Sequence, residues 1–282
     1  MINKDIVLET IAICDSIVRN GLDGAKLNKQ PEPLQKYKSI VKPKIDEFSS
    51  KNGGTPNRLL DGLLKEYVEA RGLTPNFRQK GFPAYGQVVR SYFWACIYKA
   101  GEENNYRLFP QLYVLINSMG IKMGFDYGVD IDKNARLVDI VKNEAIIQEK
   151  IINALRIDQA LQICSDTSTE GLPKTTDRRI FMDRTELAQK WSKATQIIKY
   201  YAQDSIPANI DVIIRDTFDV LLGLFRDISL EKPIEEINPP PDKNKTLSLL
   251  LTKKQIILYG PPGTGKTYTT RQIALNLLRW KK

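Results

Sequence analysis

The chain has 282 residues, 42% of them hydrophobic, and this length allows two domains with sizeable cores. It contains no histidine, which excludes His-based catalytic triads and His metal sites. The formal net charge is +9, but nine basic and no acidic residues lie from Lys243 onward. The first 242 residues are therefore electrically balanced, and the overall charge is no argument for DNA binding.

The N-terminus and the cysteines predict a cytoplasmic protein that does not enter a membrane. No apolar run approaches the length of a spanning helix, and Asp5 and Glu9 are unlike a secretory signal. Cys14, Cys96 and Cys164 are far apart and have no C-x-x-C spacing, which favours reduced residues in a core.

The front half of the chain predicts an α+β domain. Residues 59–71 have the pattern of a helix that ends at Gly72. Strand-like segments follow at 91–98, 112–117 and 121–125, and a tight turn over 117–120 joins the last two. An amphipathic helix is expected at 137–156. The expected fold is a small antiparallel sheet with helices.

The middle of the chain predicts a helical pair and then a domain boundary. Residues 183–203 and 208–227 carry apolar side chains at helical spacing, and 165–179 has the polar composition of an exposed loop. The Pro-rich, charged stretch 231–250 is typical of a linker. We therefore expect an α+β domain at 1–230, a linker at 231–250 and a separate module at 251–282.

Aromatic residues are concentrated in the predicted sheet. Twelve of the chain's twenty-four aromatics lie between Phe77 and Tyr127. They either fill the core of the sheet or build a pocket in which a DNA base stacks, and basic neighbours would then contact phosphates. The candidate DNA-binding residues are Trp94, Tyr113, Tyr127, Arg78 and Lys80.

The last segment contains a phosphate-binding loop. Residues 260–267 match the pattern G-x-x-x-x-G-K-[ST], between a strand-like run and a helix-like run, as in the first strand, loop and helix of an α/β P-loop module. Backbone N–H groups would hold the phosphates of ATP or GTP, Lys266 would reach the terminal phosphates, and Thr267 would bind Mg²⁺. The predicted nucleotide-binding residues are Gly260, Pro261, Pro262, Gly263, Thr264, Gly265, Lys266, Thr267 and Tyr268.

The predicted module contains only its first motif. Nucleotide hydrolysis of this class also needs an Asp on a later strand for Mg²⁺ and a carboxylate that orients water, and neither follows the loop. We expect that the chain is the N-terminal portion of a larger ATPase or GTPase and that alone it does not hydrolyse nucleotide.

The sequence LYGPPGTGKTY after a Pro-rich linker resembles the opening of an AAA+ module. Together with the segments YFWACIY, LYVLIN and IKMGFDYG, it resembles McrB-type proteins, the NTPase subunits of modification-dependent restriction systems. The resemblance implies a front domain that recognises DNA, often at a modified base. It also implies a homo-oligomeric AAA+ ring that hydrolyses GTP or ATP, and a separate McrC-like nuclease subunit.

Two alternatives stay open. The chain is also compatible with a fragment of an AAA+ remodelling ATPase whose front domain binds a protein. It is also compatible with a remnant that has no activity.

Overall fold

The computed structural model describes residues 2–29, 31–84, 88–101, 105–127, 135–164, 173–192 and 194–230. All of them lie in the compact unit Met1–Glu231. They form an α+β fold, as the sequence predicts. The predicted linker and phosphate-loop module, including residues 260–268, lie outside the described residues.

The described helices and strands alternate irregularly along the chain. The helices are α1 (Lys4–Arg19), α2 (Pro31–Lys36), α3 (Lys42–Asn52), α4 (Pro56–Ala70), α5 (Asn105–Leu108), α6 (Ala135–Asn143), α7 (Ala145–Ile157), α8 (Arg184–Lys190) and α9 (Ile210–Leu230). The strands are β1 (Phe77–Phe82), β2 (Tyr92–Lys99), β3 (Gln111–Asn117), β4 (Gly120–Asp126), β5 (Gln162–Cys164), β6 (Thr175–Thr176) and β7 (Gln196–Ala202). Among the described residues, none of these helices has the length and apolar character needed to cross a membrane.

The strands form one antiparallel sheet in the order β1-β2-β3-β4-β7-β5-β6. The predicted strands in β2, β3 and β4 are confirmed, as is the turn between β3 and β4. In that turn the Asn117 side chain accepts hydrogen bonds from the backbone N–H of Met119 at 2.9 Å and of Gly120 at 3.1 Å. A local side-chain contact of this kind fixes a tight turn.

One face of the sheet is covered by helices. Phe77 of β1 packs against Phe225 of α9 with ring centroids 4.8 Å apart. Cys14 of α1 donates from its thiol to the carbonyl oxygen of Ile116 in β3, at 3.6 Å. Because alternate strand residues point to opposite faces, this helix-covered face takes every second side chain of β1 to β4, and the remaining side chains point to what we call the second face.

The strands β4 and β7 approach each other closely at Gly124. Its φ is +156°, and a Cβ there would lie 2.0 Å from the carbonyl oxygen of Ile197. Only glycine fits both the backbone conformation and the space.

The prediction of a helical pair at 183–203 and 208–227 is half wrong. The second helix is confirmed as α9, but the first ends at Lys190 and is followed by β7. The sequence QIIKYYA of β7 is rich in β-branched and aromatic residues, and its residues from Ile197 to Ala202 pair with β4. Sheet pairing therefore overrides the helical spacing of the apolar residues.

The single helix predicted at 137–156 is two helices, α6 and α7. Glu144 between them has an extended backbone, with φ −95° and ψ 110°. The Gln148 side chain donates to the carbonyl oxygens of Val141 and Lys142, which are left without helical partners at the end of α6. The predicted loop at 165–179 contains, in its described part, the strand β6 and the start of a 3₁₀ turn at Arg178–Met182.

All three cysteines lie in the described part of the chain; they are buried, and none forms a disulfide bond. Burial raises the pKa of the Cys14 and Cys96 thiols above the ordinary value, so both stay protonated. They behave as small core residues.

Candidate nucleic-acid interface

The second face of the sheet carries a group of partly exposed aromatic rings at the β1–β2 edge. Phe82 lies directly opposite Trp94, and Arg78 lies directly opposite Tyr98. Tyr106 of α5 packs on the same rings. We call Phe82, Trp94, Tyr98 and Tyr106 the aromatic cluster; each of them is only partly buried.

The rings of the aromatic cluster are in mutual contact. Phe82 and Trp94 are stacked, with centroids 4.1 Å apart and planes 8° apart. The ring centroid of Tyr106 lies 4.7 Å from that of Phe82 and 5.9 Å from that of Tyr98. These contacts hold the rings in fixed positions, so a ligand that stacks on them has little side-chain ordering to complete.

Two cations of β1 stand beside the aromatic cluster. Arg78 and Lys80 are exposed, and neither forms an ion pair within the described part of the chain. The Lys80 Nζ lies 5.3 Å from the centroid of Phe82 and 5.0 Å from that of Tyr106. An ammonium group over a ring face is attracted by the ring quadrupole and is thereby held next to it.

The structure brings together three of the five predicted DNA-binding residues: Trp94, Arg78 and Lys80. Tyr113 is on the same face but is buried, and its hydroxyl donates to Gln196 Oε1 at 3.1 Å. Burial raises its pKa far above the ordinary range. Tyr113 is therefore part of the sheet's packing and does not offer a ring to a ligand.

Tyr127 lies on the helix-covered face. It is fully buried, and its hydroxyl accepts a hydrogen bond of 2.8 Å from the indole N–H of Trp191. Its ring packs edge to face against that of Phe125, two residues earlier in the chain, with ring centroids 5.5 Å apart. Trp94, Tyr113 and Tyr127 therefore do not form one pocket, because the alternation of side chains along β4 puts Tyr127 on the other side of the sheet.

Sequence reasoning missed three members of the aromatic cluster: Phe82, Tyr98 and Tyr106. The alternation of Arg78, Lys80 and Phe82 in the sequence FRQKGF is the signal that could have found one of them, since residues two apart share a face. The contribution of Tyr106 depends on how α5 folds back onto β2, and no local pattern shows that.

Further along the second face, the side chains of Asp126, Gln196 and Tyr113 are linked by hydrogen bonds. Asp126, at the end of β4, accepts from Gln196 Nε2 at 2.9 Å through Oδ2 and from the Tyr127 backbone N–H at 2.6 Å through Oδ1. The Oε1 atom of the same Gln196 amide accepts a hydrogen bond from the Tyr113 hydroxyl. Burial is the main cause that raises the pKa of the Asp126 carboxyl to about 6.

The described residues contain no cluster of three His, Cys, Asp or Glu side chains that could hold a metal ion. The predicted nucleotide and Mg²⁺ site at 260–268 lies outside these residues. Comparison with protein-family models gives no match for this chain, and no curated protein matches it either. The fold and the interface together define an α+β protein with an aromatic and basic surface on one face of its sheet.

Proposed function

We propose that this chain is the DNA-recognising and nucleotide-binding part of a McrB-like restriction NTPase. The observation that carries the DNA-binding half is the aromatic cluster with Arg78 and Lys80 beside it, neither cation being paired within the described residues. Ring faces stack on bases and cations neutralise phosphates, and a surface that offers both suits a nucleic acid.

The nucleotide-binding half rests on the sequence GPPGTGKT at 260–267. Its backbone N–H groups, with Lys266 and Thr267, would bind ATP or GTP together with Mg²⁺. The resemblance to McrB-type proteins adds two partners to the proposal: further copies of the chain in a ring, and a McrC-like nuclease subunit.

Fluorescence anisotropy with labelled duplex and single-stranded DNA tests the DNA-binding half on the full chain. We expect binding at low salt that weakens steeply as salt rises, because phosphate contacts release counterions. Arg78→Ala and Lys80→Ala should each weaken binding and lower the salt slope by about one. Lys44→Ala is the matched control, since Lys44 is exposed on α3 and has no ion pair within the described residues.

A folded chain that binds no DNA at low salt would contradict the proposal. That result would favour the remodelling ATPase whose front domain binds a protein. Equal losses from Lys80→Ala and Lys44→Ala would leave DNA binding in place but would remove the aromatic cluster as its location.

A further inference from the structure

Asp126 is the one acidic side chain among the described strand residues that point to the second face. It lies on β4, directly opposite Gln111 of β3. Leu112 pairs with Ile97 of β2, and the two strands run antiparallel. Gln111, one residue before Leu112, is therefore next to Tyr98 of the aromatic cluster. Two strand spacings separate Asp126 from Tyr98, which is about 10 Å between backbones.

The Asp126 carboxylate is held in one orientation. Gln196 Nε2 donates to Oδ2, and Gln196 itself is fixed at its other end by the Tyr113 hydroxyl. The Tyr127 N–H donates to Oδ1. An ionised carboxylate has about four acceptor positions, so these two bonds leave capacity for further donors. By surface area the residue as a whole is only partly buried, so part of it is open to a ligand.

The link between Asp126 and the aromatic cluster is itself ordered. The Gln111 side chain donates to the backbone carbonyl oxygen of Tyr106. One residue of the cluster is thereby tied to the strand that lies directly beside Asp126. A ligand group seated on the cluster and extending toward β4 would meet an acceptor whose position is fixed.

We propose that Asp126 selects the base that the aromatic cluster binds, by accepting a hydrogen bond from the exocyclic amino group of cytosine or adenine. The inference rests on the proposed DNA binding and adds the class of base that is preferred. Carboxylates accept from amino groups of this kind, whereas thymine offers carbonyl oxygens at the corresponding position, which would face the carboxylate as a second acceptor.

The charged and titratable groups around Asp126 define when it can act. Lys122 lies on the same strand with its Nζ 5.9 Å from the Tyr113 ring, and it favours the ionised form. Tyr113 on β3 faces the carboxyl as a neutral phenol, and Gln196 on β7 brings no charge. The carboxylate is therefore present near neutral pH, and protonation at acid pH would replace an acceptor with a donor.

The test compares the full chain and its Asp126→Asn variant on labelled single strands of about eight nucleotides, a length typical of one binding site. Oligo(dA), oligo(dC) and oligo(dT) are compared near neutral pH by fluorescence anisotropy. We expect the wild type to bind the first two about tenfold more tightly than oligo(dT), the effect of one hydrogen bond to a charged group. Asp126→Asn should bring the three affinities close together.

Asp204→Asn is the matched control, because Asp204 is exposed and follows the opposite end of β7 from Gln196. It removes the same charge, so any general gain in DNA affinity should appear in both variants, while the base preference should survive only in the control. A wild type that binds all three strands equally would overturn the role of Asp126 and leave the proposed DNA binding intact. Failure to bind any strand would remove the proposed DNA binding itself.

A second arm uses the wild type alone and so does not depend on the folding of a variant. The ratio of oligo(dA) to oligo(dT) affinity should fall toward one as the pH is lowered from about 7 to about 5, through the range where Asp126 gains its proton. A ratio that stays constant across this range would overturn the inference.

Discussion

Phe82 and Trp94 face each other across β1 and β2 with nearly parallel rings, 4.1 Å apart at their centroids. A stacked pair at the edge of a sheet is more than core filling, since both rings remain partly exposed. The pair thus provides a rigid apolar surface where the chain also places Arg78 and Lys80. The relationship distinguishes aromatic residues that a ligand can reach from those that only build the core.

Two aromatic substitutions should therefore affect different properties, one DNA affinity and the other stability. Trp94→Leu should weaken DNA binding by about tenfold, because a base–aromatic stack contributes about 1–3 kcal/mol. Tyr127→Phe should leave DNA affinity unchanged and lower the free energy of unfolding by about 1–3 kcal/mol, because it leaves the buried Trp191 N–H without its acceptor. Anisotropy and urea denaturation measure the two quantities. Loss of DNA binding in Tyr127→Phe at full foldedness would contradict this assignment.

Gly124→Ala should be among the most destabilising substitutions in the sheet. The added Cβ would lie 2.0 Å from the Ile197 carbonyl oxygen, at a backbone φ of +156°, so β4 and β7 would have to separate. We expect a loss of at least about 3 kcal/mol in the free energy of unfolding.

Gly223→Ala is the control for that substitution. Gly223 is exposed on α9, and a Cβ there would meet only the Lys150 Nζ at 3.8 Å. Alanine should raise stability by about 0.5–1 kcal/mol, because it favours helix. Thermal or urea denaturation of both variants checks the contrast, and equal effects would argue against the close approach at Gly124.

Asp126 should make stability depend on pH with a defined sign. Its folded-state pKa of about 6 lies above the ordinary value of 3.8, so the folded chain binds this proton more tightly than the unfolded chain. The tighter proton binding therefore adds about 2–3 kcal/mol to the free energy of unfolding below about pH 4, and this stabilisation is lost as the pH rises to about 6. Urea denaturation between these pH values should show a steeper fall in stability for the wild type than for Asp126→Asn, in which other carboxyls such as Asp61, whose pKa is also raised by burial, still titrate. Parallel curves would contradict it.

Lys266→Ala should abolish most nucleotide binding. If residues 260–267 hold a triphosphate, removal of the lysine charge should weaken binding of a fluorescent ATP or GTP analogue by at least about tenfold. Thr267→Ala should instead reduce the dependence of binding on Mg²⁺, because its hydroxyl is the expected metal ligand. Unchanged affinity in Lys266→Ala would argue against the phosphate-binding role of the loop.

The sequence was sufficient for β2, β3, β4 and α9, because each has a strong period and a local stop signal, such as the Asn117 turn. It failed for β7, whose partner β4 lies about 70 residues earlier. Local spacing does not show that pairing, so the sequence pattern predicts a helix for the apolar residues of QIIKYYA. The strand β1 was missed because a glycine and three polar residues weaken its pattern.

The candidate interface was also predictable only in part, because local patterns do not show contacts between distant segments. Trp94, Arg78 and Lys80 could be named from residue type, but their neighbours Phe82 and Tyr106 come together only through strand register and the fold of α5. Tyr127 could have been excluded by counting, since it is two residues beyond Phe125 and shares its face. The Tyr113 hydroxyl is bonded to Gln196 of β7, a strand that the sequence pattern does not predict.

The position of β1 has a consequence for how the chain behaves in concentrated solution. Among the described strands β1 has a single neighbour, so its outer backbone groups could template pairing with another copy. Arg78 and Lys80 repel the same charges on an approaching copy and so discourage such pairing. A variant that loses both cations should therefore self-associate more readily, and sedimentation velocity would detect the larger species as a shift that grows with protein concentration.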